Sequence, residues 1–426
     1  DLASGKISES YSQHIRLAVI PFYNIGGGLV RGSFSRANQN GPEAYGFRGN
    51  AKNLDLNRDF IKMDAKNTRS FVHFYHLFDP EIFVDTHTSN GADYQYTMTC
   101  LDTQPQKLGG SLGQYLKEKF TPSLFETMKR KGYEMCPFVN VYGKTPDNGY
   151  TQFYDYPRFS TGYTALFQTL GFMSEAHMLK PFKDRVEATY LFLISIIENG
   201  EANKDEIISI RKKDRLDILE KEFYELTWSQ DLSNPDTIIF KGYEASQINS
   251  NVTGGTRIKY HHDKPYEDKI PYFNKLTPDA SIKVPEAYII PQAWEKVIQH
   301  FETNNIAYTR IQADTLIEVE AYYIEDFRTN QSPYEGHYPH YNTVLKPVQM
   351  QIKVRRGDIH VPVKQQGLRY ILETLEPQGE DSFFKWNFFD PVLQQKEHFS
   401  AYVFEETAER ILNEKPWLKD SLDQKV

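Results

Sequence analysis

Two arginines and several carboxamides are packed into the run Arg48-Gly49-Asn50-Ala51-Lys52-Asn53-Leu54-Asp55-Leu56-Asn57-Arg58-Asp59-Phe60. The run has many hydrogen-bond donors and too few apolar residues for a core helix, so it suits an anion grip. Arginine stays charged and meets carboxylates with a planar fork. Arg48 and Arg58 can therefore serve two anions, or be solvated on a surface loop. Downstream, Glu81-Ile82-Phe83-Val84-Asp85-Thr86-His87-Thr88-Ser89 is an apolar strand that ends in Asp-x-His. His87 there is either a metal ligand steadied by a carboxylate such as Asp85 or a packed structural histidine. Gly171-Phe172-Met173-Ser174-Glu175-Ala176-His177 is a second apolar strand, ending on a carboxylate. Glu175 is either a general base with a raised pKa or a strand-end residue reaching solvent or Lys180.

The order of these three elements resembles the second half of the site of the M14 metallocarboxypeptidases. Arg48-x-Asn50-Ala51-x-x-x-Asp55-Leu56-Asn57-Arg58-x-Phe60 is similar to that family's arginine and Asn-Arg signature. Asp85-x-His87-x-Ser89 resembles its third zinc-ligand segment, Glu175 its catalytic glutamate, and Pro21-Phe22-Tyr23-Asn24 its Pro-x-x-Asn-x-Gly segment. The resemblance covers roughly residues 10–200. It implies a zinc carboxypeptidase in which His87 binds zinc and Glu175 activates water whose pKa the metal lowers to ~7. It also implies that Arg48 stabilises the oxyanion, and that Asn57 with Arg58 holds the terminal carboxylate of a peptide substrate. Of the tyrosines, it favours Tyr156 as the family's mobile one, leaving Tyr154 and Tyr163 open. It sets Arg158 and Ser160 near the specificity pocket. The family's His-x-x-Glu pair, which supplies two zinc ligands, is not found in residues 1–47, where His14 is the only histidine. The chain as given is therefore expected to hold zinc poorly, with the pair expected before Asp1. The alternatives are a non-catalytic protein that binds peptide C-termini, or a hydrolase of cell-wall peptides.

Alternating buried strands and helices must position these groups. His14–Asn24 reads as a buried strand, Lys66–Phe78 as a helix, Leu108–Lys129 as an amphipathic helix, and Asp184–Asn199 as a Leu- and Ile-rich helix. The pattern predicts an α/β fold with a mixed, mostly parallel sheet sandwiched by helices, with its site at the carboxyl ends of strands. Glu201–Glu225 reads as a solvated helix leading out of this domain. From about Thr237 the period-2 alternation predicts a β-rich C-terminal region, interrupted by a helix at Pro291–Asn304 and closed by one at Phe404–Asn413. The expected domains are 1–215 and 235–426. The Phe-rich segment around Trp386 reads as buried core.

The 426 residues carry 57 acidic and 49 basic side chains, a net charge of −8. That balance argues against a nucleic-acid partner. No apolar run reaches the ~18 residues of a membrane span. Cys100 and Cys136 either pair or stay free thiols. His73 and His76 on the 66–78 helix read as packing residues, and His177 as a residue behind the site. The start at Asp1-Leu2-Ala3-Ser4-Gly5 reads as a chain cut upstream, and with the resemblance it favours an exported protein. Oligomeric state is unreadable.

Overall fold

The computed structural model describes residues 14–424; the first residues, Asp1–Gly5, lie outside them. The chain has an α/β architecture. Its central sheet is built from β1 (Ile82–Ser89), β2 (Met98–Asp102), β3 (Met135–Pro137) and β5 (Leu170–His177), and the short β4 (Tyr150–Thr151) stands apart from it. Spatial order is β1-β5-β2-β3, with β1–β5 and β2–β3 parallel and β2–β5 antiparallel. The sheet is therefore mixed and mostly parallel, as the sequence implies.

The period-2 pleat sorts the strand residues between two faces. On one face Met98, Cys100, Leu170, Phe172 and Ala176 join a core with Leu112, Leu116, Phe120 and Leu124 of the 105–130 segment and with Phe192 and Ile196 of the helix Phe182–Ala202. On the other face Phe83 meets Phe71 of the helix Lys66–Phe78 edge-on, with ring centroids 5.7 Å apart. Asp85 and His87 follow Phe83 at the same parity, and so lie on that second face.

Three sequence expectations change. Residues 15–24 form no strand; Leu17, Val19 and Ile20 are exposed. No neighbouring strand pairs with them among the described residues, and an unpaired strand has little stability of its own. The 108–129 helix is broken at Gly109, whose φ of 70° a side chain would resist, and widens into a π turn at Leu116–Phe120. The 201–225 segment is not merely solvated. Its helix Lys204–Asp217 buries Ile207, Arg211 and Asp214, and the Asp214 carboxylate accepts from the N–H groups of Ser111 (3.0 Å) and Leu112 (2.6 Å).

Beyond residue 220 the strands run β6 (Phe223–Gln230), β7 (Asp236–Asn249), β8 (Thr256–Phe273), β9 (Leu276–Lys283), β10 (Ala287–Ile290), β11 (Thr309–Arg310), β12 (Thr315–Thr329), β13 (His340–Val354) and β14 (Ile359–Pro362). β7–β8, β6–β9 and β12–β13 are antiparallel pairs. β8 also pairs in parallel with β4, matching Tyr272 to Tyr150. Phe240, Ile270 and Tyr272 share one aromatic core with Tyr94, Tyr96, Val139 and Tyr150. By compactness the chain divides between Phe388 and Phe389. The second unit, Phe389–Val426, carries the helices Ala401–Glu414 and Trp417–Asp423. Trp386 and Phe383 are buried, as the sequence suggests. Cys100 and Cys136 are buried free thiols.

The left-handed Asp79 that ends the helix Lys66–Phe78 pairs with Arg215 (2.6 Å) and Arg211 (2.8 Å). Burial raises its carboxyl pKa, but the two guanidiniums outweigh burial and hold it down to about 2. The unfolded value is about 3.9. The stabilisation is thus fully present above about pH 4 and is lost as pH falls through about 2. Asp79→Asn, which tolerates the same backbone, is expected to be less stable at neutral pH and to lose less stability across that acid window, read as urea midpoints.

Candidate active site

The parallel register of β1 on β5 sets His87 directly beside Glu175, and Asp85 beside Met173. Both chemical groups lie near the carboxyl ends of their strands. They open into a cavity of about 570 Å³ that also takes in Arg48, Asn57, Arg58 and Tyr142. Its floor is apolar: Leu101 and Met173 pack with Phe138 and Phe153 beneath the polar rim.

The anion grip is assembled by one carboxylate. Asp55 accepts from Arg48 Nε (2.8 Å) through Oδ2 and from the Asn57 N–H (3.0 Å) through Oδ1, with Arg58 Nη1 4.0 Å away. It caps the short 3-10 turn Leu56–Arg58. Burial alone would raise the Asp55 carboxyl, but Arg48 and then Arg58 hold it below its ordinary value. The Asp55 N–H in turn donates to Glu335 Oε2 at 2.7 Å, so a residue from the β-rich half steadies the grip. On the other side Asn24 Nδ2 donates to the Arg48 carbonyl (2.9 Å). Gly27 lies so close to the Phe47 and Gly49 carbonyls that a Cβ would stand 2.3 and 2.6 Å from them. The backbone of the arginine loop thus rests on Asn24 and Gly27.

Arg58 lies over the Phe159 ring at 4.6 Å. Asn57 Oδ1 is buried without a partner. A half-turn of the carboxamide would present its N–H groups at the same place.

Burial pushes the Glu175 carboxyl up to about 7; Asp85 adds to the rise, while the positive His87, Arg48 and Arg58 oppose it. His87 Nε2 is 2.9 Å from Asp85 Oδ2, at ion-pair distance but without the alignment of a good hydrogen bond. Burial disfavours the charged imidazole, yet Asp85 outweighs it and brings His87 up to about 9. Asp85 also accepts from Ser160 Oγ at 2.7 Å.

The sequence-derived residues do not all converge. His87, Glu175, Arg48, Asn57 and Arg58 line the cavity; Tyr156, Arg158 and Ser160 do not. Ser160 is spent on Asp85. Arg158 pairs with Asp381 at 2.9 Å and stacks between Tyr156 (4.9 Å) and Trp386 (5.4 Å). Tyr163 is fully buried and donates to Asn304 at 2.5 Å. Tyr142 and Arg36 are cavity residues that sequence reasoning missed. Their only signals were glycine- and asparagine-rich loops without periodicity. Burial and then the charge of Glu175 raise the Tyr142 phenol. His177 bonds the Ala92 carbonyl at 2.9 Å, and His76 bonds Tyr163 at 2.9 Å.

The fit to zinc is incomplete. Among the described residues no group of three or more His, Cys, Asp and Glu side chains is placed to hold a metal. His87 offers one imidazole, and its neighbouring carboxylate is committed to it and to Ser160. One such donor does not make the four-coordinate site zinc takes.

The chain is similar to proteins named carboxypeptidase 2. It is 23% identical over 355 residues to that of Trichophyton tonsurans, 23% to that of Trichophyton equinum and 22% to that of Trichophyton rubrum. Each match covers 78% of this chain and 62% of the relative, so the chain spans less than two thirds of the proteins it matches. No family model and no solved structure matches it.

Equilibrium dialysis against zinc is expected to leave the chain with weak, sub-stoichiometric metal, which His87→Ala lowers further. Tight one-to-one retention that survives His87→Ala would show a donor set elsewhere.

Proposed function

We propose that this chain carries the substrate-binding and proton-handling part of an M14-type carboxypeptidase site, acting on peptides with a free C-terminal carboxylate. The carrying observation is that Arg48, Asn57 and Arg58 share one cavity with a buried carboxyl whose pKa burial has brought to about 7. The relatives named carboxypeptidase support the same class.

In this reading Asn57 and Arg58 grip the terminal carboxylate. Arg58 is only partly solvated and backed by an aromatic ring, which strengthens a charge-assisted fork over the same contact in water. The terminal side chain descends onto Leu101, Phe138, Phe153 and Met173, a floor that favours aromatic and aliphatic residues. Arg48 faces the carbonyl of the bond to be cleaved, where negative charge develops; losing such a donor costs about 3–4 kcal/mol of transition-state binding. Glu175 takes a proton from the attacking water and returns one to the leaving amine, for which a value near neutrality is suited. A zinc-dependent reaction needs donors beyond those of the described residues. Export belongs to the same reading.

One observation favours a second reading, a binder of peptide C-termini without catalysis: among the described residues the donors placed for a metal stop at His87. Both readings share the grip and part at turnover.

A peptide acid ending in Phe is expected to bind about tenfold or more tightly than its amide, and Arg58→Ala should remove the difference. Equal binding of acid and amide would remove the carboxylate role. In a zinc-supplemented hydrolysis assay Glu175→Gln is expected to lower turnover by about 10²–10⁴-fold while the peptide still binds. Unchanged turnover would take Glu175 out of the mechanism, and no turnover in the parent protein would favour the binder.

A further inference from the structure

A third arginine stands at this cavity with no assigned anion. Arg36 lines it beside Arg48 and is half-buried. Asp55, the carboxylate nearest the arginines, is committed to Arg48 and to the Asn57 N–H. Among the described residues Arg36 makes no ion pair and no side-chain hydrogen bond.

Its loop is not a loose surface excursion. Gly32 and Tyr45 form a backbone bridge, and Ser35 Oγ donates to the Gly46 carbonyl at 3.2 Å. The Gln39 N–H donates to the Arg36 carbonyl at 2.9 Å, and Tyr45 Oη to the Gln39 carbonyl at 2.7 Å. The Asn40 N–H donates to the Met178 carbonyl (2.8 Å), three residues past Glu175, and Arg185 Nη2 donates to the Asn40 carbonyl (2.8 Å). The Arg36 backbone is thus fastened to the end of the strand that carries the candidate base. A charged side chain held half-buried without a counter-ion is costly. Burial, and then the charge of Arg48, lower the Arg36 pKa, the direction expected of a cation short of anions.

We infer that Arg36 is an anion-binding arm for a second carboxylate on the substrate, the acidic side chain of the residue just before the cleaved bond. This rests on the terminal-carboxylate reading above, which fixes the direction of the peptide. With the terminus at Asn57 and Arg58 and the scissile carbonyl at Arg48, the cavity wall on the Arg48 side faces the preceding residue. Arg36 lines the cavity together with Arg48 and so takes that side. The substrate class is then a peptide ending in an acidic residue followed by an apolar one.

The test is calorimetry on the full chain at low salt with three probes: N-acetyl-Glu-Phe, N-acetyl-Gln-Phe and the amide of N-acetyl-Glu-Phe. The parent protein should bind the Glu acid about tenfold more tightly than the Gln acid. Arg36→Gln should erase that preference without weakening the Gln acid, and Arg36→Lys should keep part of it. Equal binding of the Glu and Gln acids by the parent protein overturns the inference while leaving the terminal grip intact. So does an equal loss of both in Arg36→Gln. An amide that binds as well as the acid overturns the terminal grip and with it the placement of Arg36. No binding of any probe at millimolar concentration overturns both.

Discussion

A buried carboxylate at Asp59 holds the arginine loop in place. Four donors converge on it: Lys62 Nζ (3.0 Å), the N–H groups of Asp64 (3.0 Å) and Ala65 (2.9 Å), and Thr68 Oγ1 (2.6 Å). An unpaired buried charge is costly, and removing one partner of a buried pair costs about 3–5 kcal/mol. The chain from residue 59 to residue 68 therefore has little freedom. That fixes the direction in which the 3-10 turn bearing Asn57 and Arg58 enters the helix Lys66–Phe78. Fully buried Lys62 also faces Asp64 at 3.7 Å, and Asp64 takes His337 Nε2 at 2.7 Å and Lys296 Nζ at 3.2 Å. Two residues before His337, Glu335 accepts the Asp55 N–H. The β-rich half thus touches both ends of the grip.

The site combines two environments that are hard to build together. Arginines need solvent or counter-charge, while a carboxyl near neutrality needs burial. The fold separates them by height. Glu175 sits on the pleat of β5, almost closed off and flanked by the apolar Met173, while Arg48 stays about half exposed at the rim with Asp55 as its counter-charge. The register of β1 on β5 then brings His87 level with Glu175, so positive charge reaches the buried carboxyl from the side as well as from above.

Much of this could be read from residue order alone. The strand ending in His87 carries β-branched and aromatic residues, the strand ending in Glu175 is an apolar run, and the helix Lys66–Phe78 has an unbroken apolar spacing stopped by Pro80. The short polar run Arg48–Arg58 stood out by composition. Other features depend on distant partners. Residues 15–20 have strand-like composition but no strand to pair with among the described residues. Arg158 was drawn to Asp381, more than two hundred residues away in sequence, and Ser160 to Asp85; neither pairing leaves a local mark. Tyr142 and Arg36 reach the cavity on loops whose course is set by backbone bonds to other segments, which no periodicity records. Near 215–235 the secondary structure changes character, and the aromatic core bridging Tyr150 and Tyr272 joins residues on both sides of that change.

That aromatic core has a consequence for the order of events during synthesis. Tyr94, Tyr96 and Tyr150 complete their packing with Phe240, Ile270 and Tyr272, and among the described residues β4 finds its strand neighbour in β8. Contacts so far apart along the chain close slowly, because loop entropy must be lost before they form. While the ribosome is still making β7 and β8, the earlier segment has its aromatic wall open to solvent. Nascent chains in that interval are the ones exposed to misassembly and in need of a chaperone's shelter.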